Sequence, residues 1–222
     1  SADVVMLGWV SQTALSAGSL ASQIMFILNL VYAGISSGIG MLAAQYWGKK
    51  DTHTIEEVMG IGMKLSIPVS FAFFALACFY PRILMLAFTS EEELVQAGIP
   101  YLKIVGVSYL FMGISQVYLC TMRSIERVVF ATAANASALV LNIFLNAVFI
   151  LGLFGSPRMG IVGVALATSI ARGVELLICL VDACHFPVIR LRPRILLGRN
   201  PVLFRAFMKY FFRAFGNEGS WG

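Results

Sequence analysis

Apolar residues come in long runs along this chain, and polar residues gather in short clusters between them. Two consecutive runs define the pattern: AANASALVLNIFLNAVFILGLFG, then MGIVGVALATSIARGVELLICLVDACHF, joined by Ser156, Pro157 and Arg158. Each is long enough to cross a bilayer as a helix. Each also carries polar residues at helical spacing. Asn135, Asn142 and Asn146 sit at steps of seven and four, so they share one helix face. Thr168, Arg172, Glu175 and Asp182 share a face of the next helix by the same arithmetic. Polar stripes on spanning helices need a polar surrounding, which makes them the first place to look for chemistry.

The rest of the chain divides in the same way. Residues 1–9, SADVVMLGW, read as the tail of a helix that starts upstream, followed by a turn over 10–14. Leu15 to Trp47 predicts a helix of roughly 50 Å, longer than a 30 Å hydrocarbon core. Its Gly34, Ser36, Ser37, Gly38 and Gly40 allow close packing. GKKDTHTIEE (48–57) is a polar loop leading into a helix over about 55–80, with a kink expected at Pro68 and an end at Pro81. Residues 82–99 predict a short interfacial helix and then a helix start at Glu91, Glu92 and Glu93, acids suited to a helix N-terminus. Further helices follow over about 98–121, 129–153 and 159–184. A basic linker, residues 186–200, leads to an amphipathic helix that begins near Pro201.

Composition agrees with a membrane protein. The chain is 59% hydrophobic and 12% charged, with mean hydropathy +0.86; a soluble domain carries about 25% charged residues. The runs lack the alternation of barrel strands, so the fold class is all-α: a polytopic transmembrane helix bundle. The net charge of +5 is best explained by topology. Lys49, Lys50, Lys64, Arg123, Arg127, Arg190, Arg192, Arg194, Arg199, Arg205 and Lys209 fall on one side, against Arg82, Lys103 and Arg158 on the other. The richer side is expected to be cytoplasmic, in an inner or plasma membrane, and its basic linker to touch anionic headgroups. Nucleic acid is not an expected partner. Cys78, Cys120, Cys179 and Cys184 have no metal-ligand spacing and read as thiols in packed or lipid-facing helices. His53 and His185 read as solvated or capping residues at helix ends. No P-loop, hydrolase or redox triad is visible, so no enzyme activity and no cofactor are expected.

Several segments in order resemble the multidrug and toxin extrusion (MATE) family. They are ADVVMLGWVSQTALSAGSLASQI, GISSGIGMLAAQYWGKKD, YLKIVGVSYLF, LNIFLNAVFILGLFGSPRMGIVGVALATSI and KYFFRAFGNEGSW. The resemblance implies one incomplete six-helix lobe of a two-lobe transporter. Residues 1–185 would be the N-terminal lobe, 186–200 the cytoplasmic interlobe linker and 201–222 the start of helix seven, with the second lobe absent from this stretch. Similar members tend to carry proline where Arg213 stands, and an arginine there is costly near lipid unless it snorkels or pairs.

The resemblance also implies roles. Asp3, in the pattern Asp3, Met6, Gly8, would be a cation-coupling residue. A carboxylate in a bundle costs roughly 2.5–3.5 kcal/mol on insertion scales, and burial raises its pKa toward the range where a proton can be exchanged. Asn142 and Asn146 offer carbonyl oxygens, so Asp3, Asn142 and Asn146 form a candidate Na⁺ site. Proton-coupled relatives carry a carboxylate where Asn146 stands, which weakens a proton relay through this pair. Helix–helix hydrogen bonding is the plainer reading of both asparagines, and Asn135 reads as structural. Thr168, in ALATSI, either helps the cation site or only packs. Arg172 and Glu175 are expected to form an intrahelical ion pair, structural or in contact with substrate. Glu218, in the pattern Asn217, Glu218, Trp221, would line the other lobe's cavity and take a cation or a cationic substrate.

The expected function is export of amphipathic, often cationic, organic compounds, coupled to entry of Na⁺ or H⁺ and carried by rocking of two lobes. One charge moved down 100 mV supplies about 2.3 kcal/mol, enough at about 1.4 kcal/mol per tenfold to hold a gradient of roughly fiftyfold. A flippase for lipid-linked saccharides, or a non-transporting scaffold or inactive fragment, is the alternative.

Overall fold

A computed structural model describes residues 12–151, 161–185 and 201–220. Among them the chain is helical throughout: α1 (Gln12–Gly48), α2 (Thr52–Phe79), α3 (Pro81–Leu86), α4 (Glu92–Ser124), α5 (Val128–Leu151), α6 (Ile161–His185) and α7 (Pro201–Ser220). Five of these, α1, α2, α4, α5 and α6, contain stretches long and apolar enough to cross a membrane.

Local chemistry sets the boundaries. At the α1–α2 turn Lys50 takes a left-handed φ of 57°, with its N–H bonded to the Trp47 carbonyl at 3.0 Å. Asp51 then caps α2: Thr54 N donates to Asp51 Oδ1 at 3.2 Å and Thr54 Oγ1 to Asp51 Oδ2 at 2.6 Å, satisfying an N–H that the first turn leaves open. These bonds hold the Asp51 carboxyl below its ordinary range. Pro81 opens α3, where its missing N–H costs nothing. The turn between α4 and α5 closes through Arg127 N to Met122 O at 2.9 Å, with Glu126 at φ 68°.

The helix expected over 98–121 starts earlier, so that Glu92 and Glu93 form its first turn and Pro100 lies inside it. Tertiary contact accounts for the extension. A Cβ on Gly98 would lie 2.5 Å from the Met85 side chain, so α3 seats on the α4 turn just before the proline. Arg82 reaches across to Glu92 with two bonds, at 2.6 and 2.9 Å.

The described residues divide into two compact units. The first draws on the described parts of Ser1–Ile27, Phe71–Phe111 and Ala136–Val174; the second on Leu28–Ser70, Met112–Asn135 and Glu175–Gly222. In the first, Gly106 of α4 faces Ala77 and Cys78 of α2. Ser169 of α6 donates to the Ile104 carbonyl of α4 at 2.9 Å. In the second, Gly62 of α2 meets Ile39 of α1, and Gly113 of α4 leaves no room for a Cβ against Ser70 of α2. Ser66 Oγ donates to the Gly113 carbonyl at 2.5 Å, and the Tyr32 and Ser70 hydroxyls bond to each other. These small-residue and hydroxyl contacts are the means by which helices associate where lipid removes a hydrophobic drive. The α7 helix joins the second unit by setting Phe207 against Gly38 and Phe211 against Gly34.

Candidate functional site

The helix α5 places its asparagines by simple periodicity. Leu139, Val140, Ile143 and Phe144 are exposed, while Ala131, Ala134, Ala138, Asn146, Val148 and Ile150 are buried. Asn146 therefore lies on the face turned into the protein, at 0% exposure. Asn142, one turn earlier, is half-buried. The Oδ1 atoms of both are shut off from solvent, and that of Asn142 accepts no hydrogen bond from the described residues. An unmet buried acceptor costs about 1–3 kcal/mol. Such a group persists where a ligand supplies the missing partner, or where a strain is tolerated for function. Amide carbonyl oxygens suit a hard monovalent cation.

Thr168 of α6 is buried and belongs to the same unit as the two asparagines. Asp3 lies outside the described residues. Glu218 falls within α7, but its side chain also lies outside what is described. Among the described residues no three His, Cys, Asp or Glu groups come together as a metal site.

The asparagine stripe expected from spacing splits in two. Asn135 belongs to the second unit. There its amide bridges α4 and α6: Nδ2 donates to Glu175 Oε2 at 3.1 Å, and Oδ1 accepts from Arg123. The orientation of this amide is assigned from the network itself. Glu175 is fully buried, and its Oε1 also accepts from Ser115 Oγ at 3.2 Å and Gln116 Nε2 at 3.4 Å. The partners that hold this carboxylate across helices thus come from α4 and α5. Donors from two other helices reach this inward-facing carboxylate, contacts that spacing along α6 alone does not show.

Two turns further along α6, Asp182 forms a second cluster in the same unit. Arg127 clasps it with bonds of 2.7 and 2.8 Å, and the Tyr118 hydroxyl donates to Oδ2. Arg127 also lies 4.6 Å over the Phe130 ring, which stands edge-on to Tyr118. The carboxylate holds the Arg127 guanidinium above its already high range. Sequence reasoning counted Arg127 only as topological charge and missed Ser115, Gln116 and Tyr118 altogether. The available signals were the seven-residue step from Glu175 to Asp182 and the run of polar side chains, Ser115 to Tyr118, inside an apolar segment.

The cysteines carry no chemistry of this kind. Cys120 and Cys179 are buried, Cys78 is half-buried and Cys184 exposed, and all four are free thiols. His53 sits by Glu57 at 3.1 Å and His185 bonds the Val181 carbonyl at 2.8 Å, both at helix ends.

The family model MatE matches residues 1–148. The chain belongs to the MatE family. Family members are multi-pass membrane transporters, in keeping with the five apolar helices found here. Similar curated MatE relatives include the uncharacterized transporter YisQ of Bacillus subtilis, 25% identical over 181 residues, covering 82% of this chain and 40% of that protein. The probable multidrug resistance protein NorM of Rhizobium meliloti is 30% identical over 175 residues, covering 79% of this chain and 37% of its own length. Among solved structures, a MATE protein in the straight conformation superimposes with a TM-score of 0.85 at 18% identity, covering 99% of this chain and 48% of that one. A MOP superfamily transporter from Pyrococcus furiosus gives 0.81 at 18% identity, over 96% and 47%. The chain therefore spans about two-fifths of the curated relatives' length and just under half of the solved structures.

Proposed function

We propose that this chain supplies one lobe of a cation-coupled exporter of amphipathic, often cationic, organic compounds. The observation that carries the reading is the buried Oδ1 of Asn142, an acceptor with no hydrogen bond from the described residues, one turn from buried Asn146. An amide oxygen held dry inside a spanning helix is a ready ligand for Na⁺, whereas neither asparagine can carry a proton. Asp3 would complete the site with the charge that a bound cation neutralises. Thr168 would add a hydroxyl, and Glu218 would serve the other lobe. Binding of the ion would then shift helix packing and bias the rocking of two lobes. The names of the matched relatives, multidrug resistance proteins among them, favour drug export over a flippase for lipid-linked saccharides.

The test uses the full-length protein in proteoliposomes. Efflux of an organic cation dye is followed under an imposed Na⁺ gradient and, separately, an imposed H⁺ gradient. Efflux driven by the Na⁺ gradient that is lost in Asp3→Asn and in Asn142→Leu supports the reading. Equal coupled efflux in those variants overturns the site. Absence of efflux under both gradients overturns the function.

A further inference from the structure

Inside the second unit, α7 meets α1 through two rings set into two glycines. Phe207 of α7 faces Gly38 and Phe211 faces Gly34. Each pair of positions is four residues apart, so each row follows one helix face, and the two rows run in opposite directions. The fit is close at both steps. A Cβ on Gly38 would lie 3.0 Å from the Phe207 ring, and one on Gly34 would lie 2.8 Å from the Phe211 ring. The Phe211 carbonyl oxygen would be 3.4 Å from that same Gly34 Cβ, so the two backbones themselves approach closely. Gly34, Gly38 and Phe207 are buried.

The flanking residues permit one register. Along α1 the row reads Leu30, Gly34, Gly38, Leu42. Sliding α7 by one turn, about 5.4 Å, would drive a phenylalanine onto Leu30 or Leu42. Overpacking of that kind forces side chains off their rotamers and shifts the backbone. Leu42 and Leu203, one turn beyond Gly38 and Phe207, continue the two rows and are both buried. The α1 stretch that carries the notches is itself fastened to the rest of the unit. Cys120 of α4 donates to the Ser36 carbonyl at 3.3 Å, and Gly62 of α2 closes on Ile39.

We infer that the Gly34 and Gly38 notches of α1 are the joint by which the other lobe is hung on this one: Phe207 and Phe211 hold α7 in a single register, so that α7 travels with this lobe although it begins the other. The inference rests on the two-lobe reading proposed above, in which this helix opens the second lobe. It makes Phe207 and Phe211 positioning residues, with a role separate from that of the asparagines of α5. Rocking of the lobes then leaves the contact between α1 and α7 unchanged, because both helices move as one piece.

The test uses the full-length protein in proteoliposomes. Gly34→Cys with Phe211→Cys puts a thiol in one notch and removes the ring that would obstruct it, while Phe207 still fills the other. Oxidation joins thiols that lie side by side. Mass spectrometry then quantifies the linked peptides with Na⁺, without Na⁺, and with an organic cation dye present. The link should form at one rate in all three conditions, and the linked protein should export the dye as fast as the reduced protein. In the same pair, Gly38→Leu should abolish linking, and adding Phe207→Ala, which vacates the space, should restore it. A link confined to one condition, or formed in none, overturns the joint, as does efflux that stops on linking and returns on reduction. Linking that survives Gly38→Leu, or that Phe207→Ala fails to restore, overturns the fit of ring to notch. Linking is read without transport, so a protein that links equally in every condition yet exports no dye supports the joint and overturns the proposed function.

Discussion

The two compact units treat buried polar groups in opposite ways. In the second, the carboxylates of Glu175 and Asp182 are surrounded by donors from neighbouring helices. In the first, the amide oxygen of Asn142 is equally dry but accepts nothing from the described residues. A satisfied buried charge is matched to the structure around it, and its removal costs stability. An unsatisfied neutral acceptor is matched to something else, and its removal should cost function while stability holds. The contrast separates scaffold from site more cleanly than residue type does, since asparagine occurs in both places.

The sharpest way to break this contrast is at Glu175. Glu175→Leu strands Ser115, Gln116 and Asn135 without their common acceptor and should destabilise the protein by about 3 kcal/mol or more. Glu175→Gln, which keeps the shape, should cost less. Thermal unfolding in detergent would show the difference, and a stable Glu175→Leu protein would refute the structural role.

At Asn142 the expected result is reversed. Asn142→Leu should leave the melting temperature unchanged or raise it, because a dry unmet acceptor is removed. Na⁺ affinity, read by titration of the purified protein, should fall about tenfold or more. A large loss of stability with transport intact would make this asparagine structural.

Asp182→Asn tests a half-buried pair. It should weaken the Arg127 clasp by about 1 kcal/mol, more than an exposed ion pair and less than Glu175. The double change with Arg127→Gln should cost less than the two single changes summed, a coupling that only a direct interaction produces.

Asp51 gives a pH-dependent effect. Its carboxyl is held low by Thr54, so its cap stabilises the folded protein fully above the unfolded value. That stabilisation disappears as pH falls through the lower folded value. The melting difference between the unaltered protein and Asp51→Ala should therefore be present at neutral pH and vanish in acid. The smallest effect is expected at Glu126, whose φ of 68° suits glycine. Glu126→Gly should be neutral or stabilise by less than about 1 kcal/mol, as strain relief offsets the freedom gained by the unfolded chain.

Much of the fold was legible because a bilayer reads hydropathy directly. The helices over 15–47, 55–80, 129–153 and 159–184 match α1, α2, α5 and α6 within a few residues. The α4 helix begins at Glu92, among the acids that suggest a helix start, rather than near residue 98. The support for that first turn comes from α3, a contact with no local signal. At the site, spacing correctly put Asn146 on an inward face, with its neighbour Asn142 part-buried. It could not show that Asn135, on the same stripe, belongs to a different cluster.

The sequence alone determined the helical class, the number of apolar spans and the faces that turn inward. Those follow from local periodicity and from the cost of exposing polar groups to lipid. Only the tertiary structure decided which inward polar group is satisfied, because a partner such as Ser115 for Glu175 lies sixty residues away in the chain. Hydrogen bonds between helices depend on how those helices cross. No periodicity along a single helix carries that information, and so the line between scaffold and candidate site was drawn by packing.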